Sequence, residues 1–141
     1  MTETYNQAIK LLTRREHSRA ELRQKLQQRG HSDSNIGSAL DVLIEEGFLS
    51  DQRFVEMYIR SCQNRGLGPA RIKMELQEKG VEDALIAEYL NASASEWVKL
   101  AKQVHAKKFS AKLPKSFEEK ALQMRFLNYR GFTQEQIDEV F

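Results

Sequence analysis

The residues able to carry chemistry in this chain are few and stand apart from one another. Cys62 is the only cysteine. A nucleophilic thiol needs a base or a positive charge beside it to hold the thiolate, and no histidine falls in the same stretch. Cys62 also occupies a helix position that apolar Leu12 holds earlier in the chain, so it reads as a small core hydrophobe. His17, His31 and His105 fall in connections or at a helix end, with no metal-ligand spacing among them. Gly66-Leu67-Gly68 lacks the Lys-Ser/Thr pair that would hold nucleotide phosphates and magnesium. No carboxylate is paired inside an apolar run, where its pKa would be pushed up. The expectation is a protein that is not an enzyme and has no catalytic residues, metal or cofactor. Trp97 lies on the apolar face of its helix and reads as buried, whereas Phe109, in a basic loop, could stack a base or pack.

What remains is charge. The formal net charge of +2 hides a segregation. Residues 1–31 hold seven basic and three acidic groups, and residues 32–60 hold two and six. Residues 61–80 hold four and two, residues 81–96 none and four. Residues 97–131 then hold nine and two, and residues 132–141 none and three. Acid at helix starts and base at helix ends offsets the helix dipole, which accounts for Asp33, Glu82, Asp83 and Glu135, and for Arg29, Lys79 and Arg130. It does not account for Arg23, Lys73, Lys107, Lys108, Lys112 and Lys115. The candidate partner- or DNA-binding residues are therefore Arg23, Arg29, Arg71, Lys73, Lys79, Lys107, Lys108, Lys112 and Lys115. Such a basic stripe suits a phosphate backbone or an acidic groove on a protein.

The elements that must position these groups come from a repeat. With Gly30, Gly80 and Gly131 as register marks, the intervals are 50 and 51 residues. Leu26, Leu76 and Leu127 precede the glycines by four positions, and Ala20, Ala70 and Ala121 by ten. Arg29, Lys79 and Arg130 come immediately before. Ile36, Ile86 and Ile137 follow by six, and Leu40, Leu90 and Phe141 by ten. Units this small bury little surface alone and are expected to stack.

Each unit reads as three helices. Residues 5–15 carry Tyr5, Ala8, Ile9 and Leu12 on one face. Ser18-x-x-Glu21 is a capping box for the second helix, which ends at Gly30. A third helix over residues 32–46 carries Ile36, Leu40, Leu43 and Ile44. In the middle unit a helix over residues 51–65 carries Phe54, Val55, Tyr58, Ile59 and Cys62. Gly66 to Pro69 breaks it, and Pro69 suits the first turn of the next helix. Ser93-x-x-Glu96, Ser116-x-x-Glu119 and Thr133-x-x-Gln136 open the helices of the third unit. Trp97 stands 34 residues before Gly131, against 26 from Phe54 to Gly80. The surplus falls near residues 107–115, as a longer basic loop. The second helix of every unit is basic and the third acidic.

Hydrophobic residues are 40% of the chain and charged residues 30%, enough for a thin core. Leu, Ala, Glu, Gln, Lys and Arg outweigh Val and Ile, which favours helix over sheet. No apolar run approaches a membrane span and no signal peptide is visible, so a cytoplasmic protein is expected. The expected fold class is all-α, three tandem three-helix repeats stacked into an elongated, curved array, with repeats at residues 1–49, 50–92 and 93–141.

Residues 45–81 carry a set of small motifs in order: Gly47-Phe48-Leu49, Asp51-x-Arg53-Phe54, Tyr58, Gly68-Pro69-x-Arg71-Ile72, Glu75-Leu76 and Lys79-Gly80-Val81. Together they resemble the RecX family, the regulators of the RecA recombinase, with Val55 where that family usually has Ala. The resemblance covers all three units, strongest in the second and weakest in the third. It implies tandem three-helix repeats and a monomeric regulator of recombination, DNA repair and the SOS response. The implied partner is the RecA filament on single-stranded DNA, bound within its helical groove across more than one protomer. The implied effect is restraint of its ATPase, strand-exchange and co-protease activities, with at most a weak direct DNA contact. The competing reading from the residues is a stand-alone helical DNA-binding protein, since three-helix units resemble helix-turn-helix modules. A recognition helix should be basic, however, and the third helices here are acidic.

Overall fold

The computed structural model describes residues 1–110 and 112–141. Ala111, inside the basic stretch 107–115, lies outside the described residues. Among the described residues there is no strand, and nine helices follow one another: α1 (Thr2–Arg14), α2 (Arg19–Gln28), α3 (Asp33–Glu45), α4 (Asp51–Asn64), α5 (Pro69–Glu78), α6 (Asp83–Tyr89), α7 (Ala94–Phe109), α8 (Phe117–Tyr129) and α9 (Gln134–Asp138). The protein is all-α and built from three three-helix domains. The chain forms two compact units, Met1–Tyr58 with Leu76–Ile86, and Ile59–Glu75 with Ala87–Phe141.

In the first unit, α1, α2 and α3 pack on one another because their apolar stripes recur at helical spacing. Ala8, Leu11, Leu22, Leu26, Ile36, Leu40, Leu43 and Leu49 form the core, with Tyr5, Ile9 and Leu12 against it. Leu11, which the sequence stripe omits, is buried, while Ile44 is 44% exposed. Ile44 sits one residue past Leu43, a rotation of about 100° that carries it off the core face. In the second unit α7, α8 and α9 pack on one another, burying Trp97, Ala101, Val104, Leu127 and Ile137. Cys62 is fully buried.

The caps divide in two groups. Ser18, Ser93 and Ser116 each accept the amide N–H three residues on, whereas at Thr133 the reciprocal bond from its own N–H to Gln136 is also made. At Ser18 the box is not closed as expected, because the Glu21 carboxylate is held by Arg15 instead (2.8 and 3.0 Å). Glu119 accepts from the Lys115 N–H at 2.7 Å, one residue before the cap.

The surplus of the third unit is mostly helix. α7 runs 16 residues to Phe109, and α8 starts at Phe117, further ahead of its glycine than α2 or α5. The connection is still the longer one, with seven residues between α7 and α8 against four between α1 and α2 and four between α4 and α5. Lys107, Lys108 and Phe109 close α7, and only Lys112 and Lys115 stand in the connection. His105 is likewise not at a helix end. It is buried within α7 and bonded to Gln123 at 2.7 Å.

Candidate functional site

The candidate cations fall in different settings. In the first unit, Arg23 is half-buried on α2 and Arg29 is exposed at its end. Lys79 lies 3.5 Å from the Glu21 carboxylate and sits over the Tyr58 ring, 5.5 Å from its centroid. Glu21 is the hub of that corner. Burial alone would raise its pKa, but the Arg15 guanidinium, bonded to both carboxylate oxygens, and the nearby Lys79 bring it down to about 2. His17 is also buried, and burial lowers its pKa. Its Nδ1 faces the Arg15 carbonyl at 3.0 Å and its Nε2 faces Lys25 Nζ at 2.9 Å. A neutral ring with the proton on Nδ1 satisfies both, donating to the carbonyl and accepting from the ammonium.

In the second unit, Arg71 pairs with Glu75 at 2.9 Å and lies 5.2 Å from the Tyr129 ring centroid. Arg71 and Lys79, read from the sequence as available to a partner, are thus each already engaged within the chain. Lys73, Lys107, Lys108, Lys112 and Lys115 are exposed. Lys107 and Lys108 line a groove of about 760 Å³ together with Arg65, Arg130, Trp97 and Phe126. Arg130 donates to the Arg65 carbonyl at 2.9 Å. It also sits 5.0 Å from the Phe126 centroid, as Lys108 does at 5.4 Å.

This geometry decides what the aromatics do. Trp97 is 5% exposed, and Phe109 is half-buried between His105 and Phe126, with centroids at 5.3 and 5.5 Å. Trp97 has little surface left for a base, and Phe109 already contacts two rings. The groove is a cationic wall stiffened by rings, a surface for carboxylates or phosphates rather than for stacking. Arg65, Arg130, Lys10 and Arg14 were not among the sequence candidates. The register that aligns Arg130 with Lys79 was a signal for the first of these pairs alone; nothing in spacing marks Lys10 and Arg14 as neighbours of Arg29. Among the described residues no group of three His, Cys, Asp or Glu side chains could hold a metal, and no helix is long and apolar enough to cross a membrane.

Comparison with known proteins supplies what the geometry does not. Residues 5–43 match the model of the first three-helix domain of RecX, residues 50–90 the second and residues 95–141 the third. The chain is 43% identical to the regulatory protein RecX of Halorhodospira halophila over 130 residues, 92% of this chain and 81% of the relative. It is 42% identical to that of Legionella pneumophila (strain Corby) over 141 residues, 100% of this chain and 94% of the relative. The crystal structure of RecX from Lactobacillus salivarius shares the fold, with a TM-score of 0.83 and 23% identity, covering 99% of this chain and 92% of that one.

Proposed function

The chain belongs to the RecX family, and from that premise we propose that it is a regulator that binds the RecA nucleoprotein filament on single-stranded DNA. In this reading it restrains the filament's ATPase, strand-exchange and co-protease activities, acting in the cytoplasm as a monomer. The observation that carries it is the presence of all three RecX domains, in order, over nearly the whole chain. The side chains agree with a binding role: lysines stand exposed at the end of α7 and beyond it. The third helices, with Asp33, Asp41 and Glu45, Asp83 and Glu88, and Glu135 and Asp138, would repel a DNA groove, which weighs against a stand-alone DNA-binding protein.

Salt separates the two readings. Binding to bare DNA draws mainly on counterion release and should weaken steeply as salt rises. Binding to an assembled filament also draws on buried contacts and should persist at moderate salt. Equal affinities and equal salt slopes for bare DNA and filament would favour the DNA-binding reading.

A further inference from the structure

The chain uses one docking geometry twice. At the end of α5, Gly80 has φ +77° and approaches the start of α2 so closely that a Cβ on it would lie 2.4 Å from the Ala20 Cβ. The Ser18 hydroxyl donates to the Lys79 carbonyl at 2.7 Å, and Lys79 Nζ meets Glu21 in the first turn of α2 at 3.5 Å. At the end of α8, Gly131 has φ +99°, and a Cβ on it would lie 2.3 Å from the Arg71 Cβ at the start of α5. There the N–H of Gly68 donates to the Arg130 carbonyl at 2.7 Å, and that of Ala70 to the Gly131 carbonyl at 3.0 Å. In both places the unfilled carbonyls of a helix C-terminus meet the donors of a helix N-terminus, and the helix dipoles run head to tail. Only a glycine lets the two backbones come that near.

The third member of the register has the same form and no neighbour. Gly30 ends α2 with φ +86°, yet nothing lies within 4 Å of the place its Cβ would take. Beside it, Arg29, Lys10 and Arg14 line a groove of about 660 Å³ in which Glu3 is the only acid. Arg29 holds the register position of Lys79, the residue that meets Glu21.

We infer that the Arg29–Gly30 corner is an open docking site for the N-terminus of a helix on a partner protein. The matching helix opens with small residues, as Ser18-Arg19-Ala20 and Gly68-Pro69-Ala70 do, and carries an acid in its first turn to meet Arg29. In a second copy of this chain the α2 and α5 starts are already covered by Gly80 and Gly131, and α8 opens with the bulky Phe117. The exposed start of α7, Ser93-Ala94-Ser95 with Glu96 in the first turn, fits the same description, so self-association is an outcome that the test must distinguish.

The inference rests on the proposed function, which supplies the partner to test: the assembled filament on single-stranded DNA. Three full-length variants are measured against the wild type: Gly30→Asn, which tolerates the left-handed backbone, Arg29→Glu, and Lys99→Glu as a charge-matched control on the other unit. Gly30→Asn and Arg29→Glu are expected to bind at least tenfold more weakly, while Lys99→Glu stays within twofold. If Gly30→Asn does not melt near the wild type, Arg29→Glu decides. Wild-type binding with all three variants within twofold overturns the docking site and leaves the proposed function standing. Equal loss in Lys99→Glu overturns it too, since general charge then explains the effect. A wild type that does not bind the filament removes the proposed function and the site with it. A self-associated species in sedimentation that Arg29→Glu abolishes would assign the corner to a second copy and overturn the partner assignment.

Discussion

Glu21 and His17 tie the first unit to pH through opposite requirements. Glu21 must stay charged to hold Arg15 and Lys79, and its folded pKa of about 2 lies below the ordinary carboxyl value of 4.5. The folded state therefore binds fewer protons than the unfolded one between these values, and stability present above about pH 4.5 is lost as pH falls toward 2. His17 must stay neutral, its pKa lowered from 6.5 first by burial, so acid also destabilises through it, beginning below pH 6.5. Melting temperature should fall from pH 7 to 5 in the wild type and less in His17→Gln. Glu21→Gln should cost about 1–3 kcal/mol at neutral pH, discounted because Arg15 is partly exposed. The same variant should flatten the decline below pH 4.5; an unchanged decline would show that other carboxylates cause it. The sequence marks Glu21 as a capping residue, which is a local inference. The partner it chose, Arg15, lies ahead of the helix where no capping rule looks.

At the scale of the element, the register glycines were legible as helix stops, but their unequal duties were not. A spacing pattern reports backbone conformation shared by Gly30, Gly80 and Gly131; what packs on each depends on tertiary approach. Gly80→Ala should cost about 2–5 kcal/mol, combining left-handed strain with a clash against Ala20. Gly30→Ala meets only the strain and should cost about 1–2 kcal/mol. Equal losses in thermal melts would show that Gly80 does not pack as described. Leu76, fully buried four residues before Gly80, should cost about 2–5 kcal/mol as Leu76→Ala. Helix boundaries were readable because Ser18, Pro69 and Ser93 are strong start signals. The surplus of the third unit lies partly in its connection and partly in longer helices, a division the sequence hides because lysines at the end of α7 look like loop residues. They are favoured there by the helix dipole.

For the whole molecule, charge was legible as composition and not as availability. The sequence counts Arg71 and Lys79 with the other cations, yet each has a carboxylate and a ring as partners. Exposed Lys107, Lys108, Lys112 and Lys115 are better placed to meet an external anion. Replacing these four by Gln should leave melting nearly unchanged, since exposed charges contribute little to stability, and should weaken restraint of the RecA ATPase. Unaltered restraint would move the contact surface to Arg23 and Lys73 on the second helices. The most direct test of the central claim is a titration of this protein into RecA assembled on single-stranded DNA, with ATP hydrolysis as the readout. A dose-dependent fall in hydrolysis is the result expected of a filament regulator. Hydrolysis unchanged at an excess of the protein over RecA would contradict it.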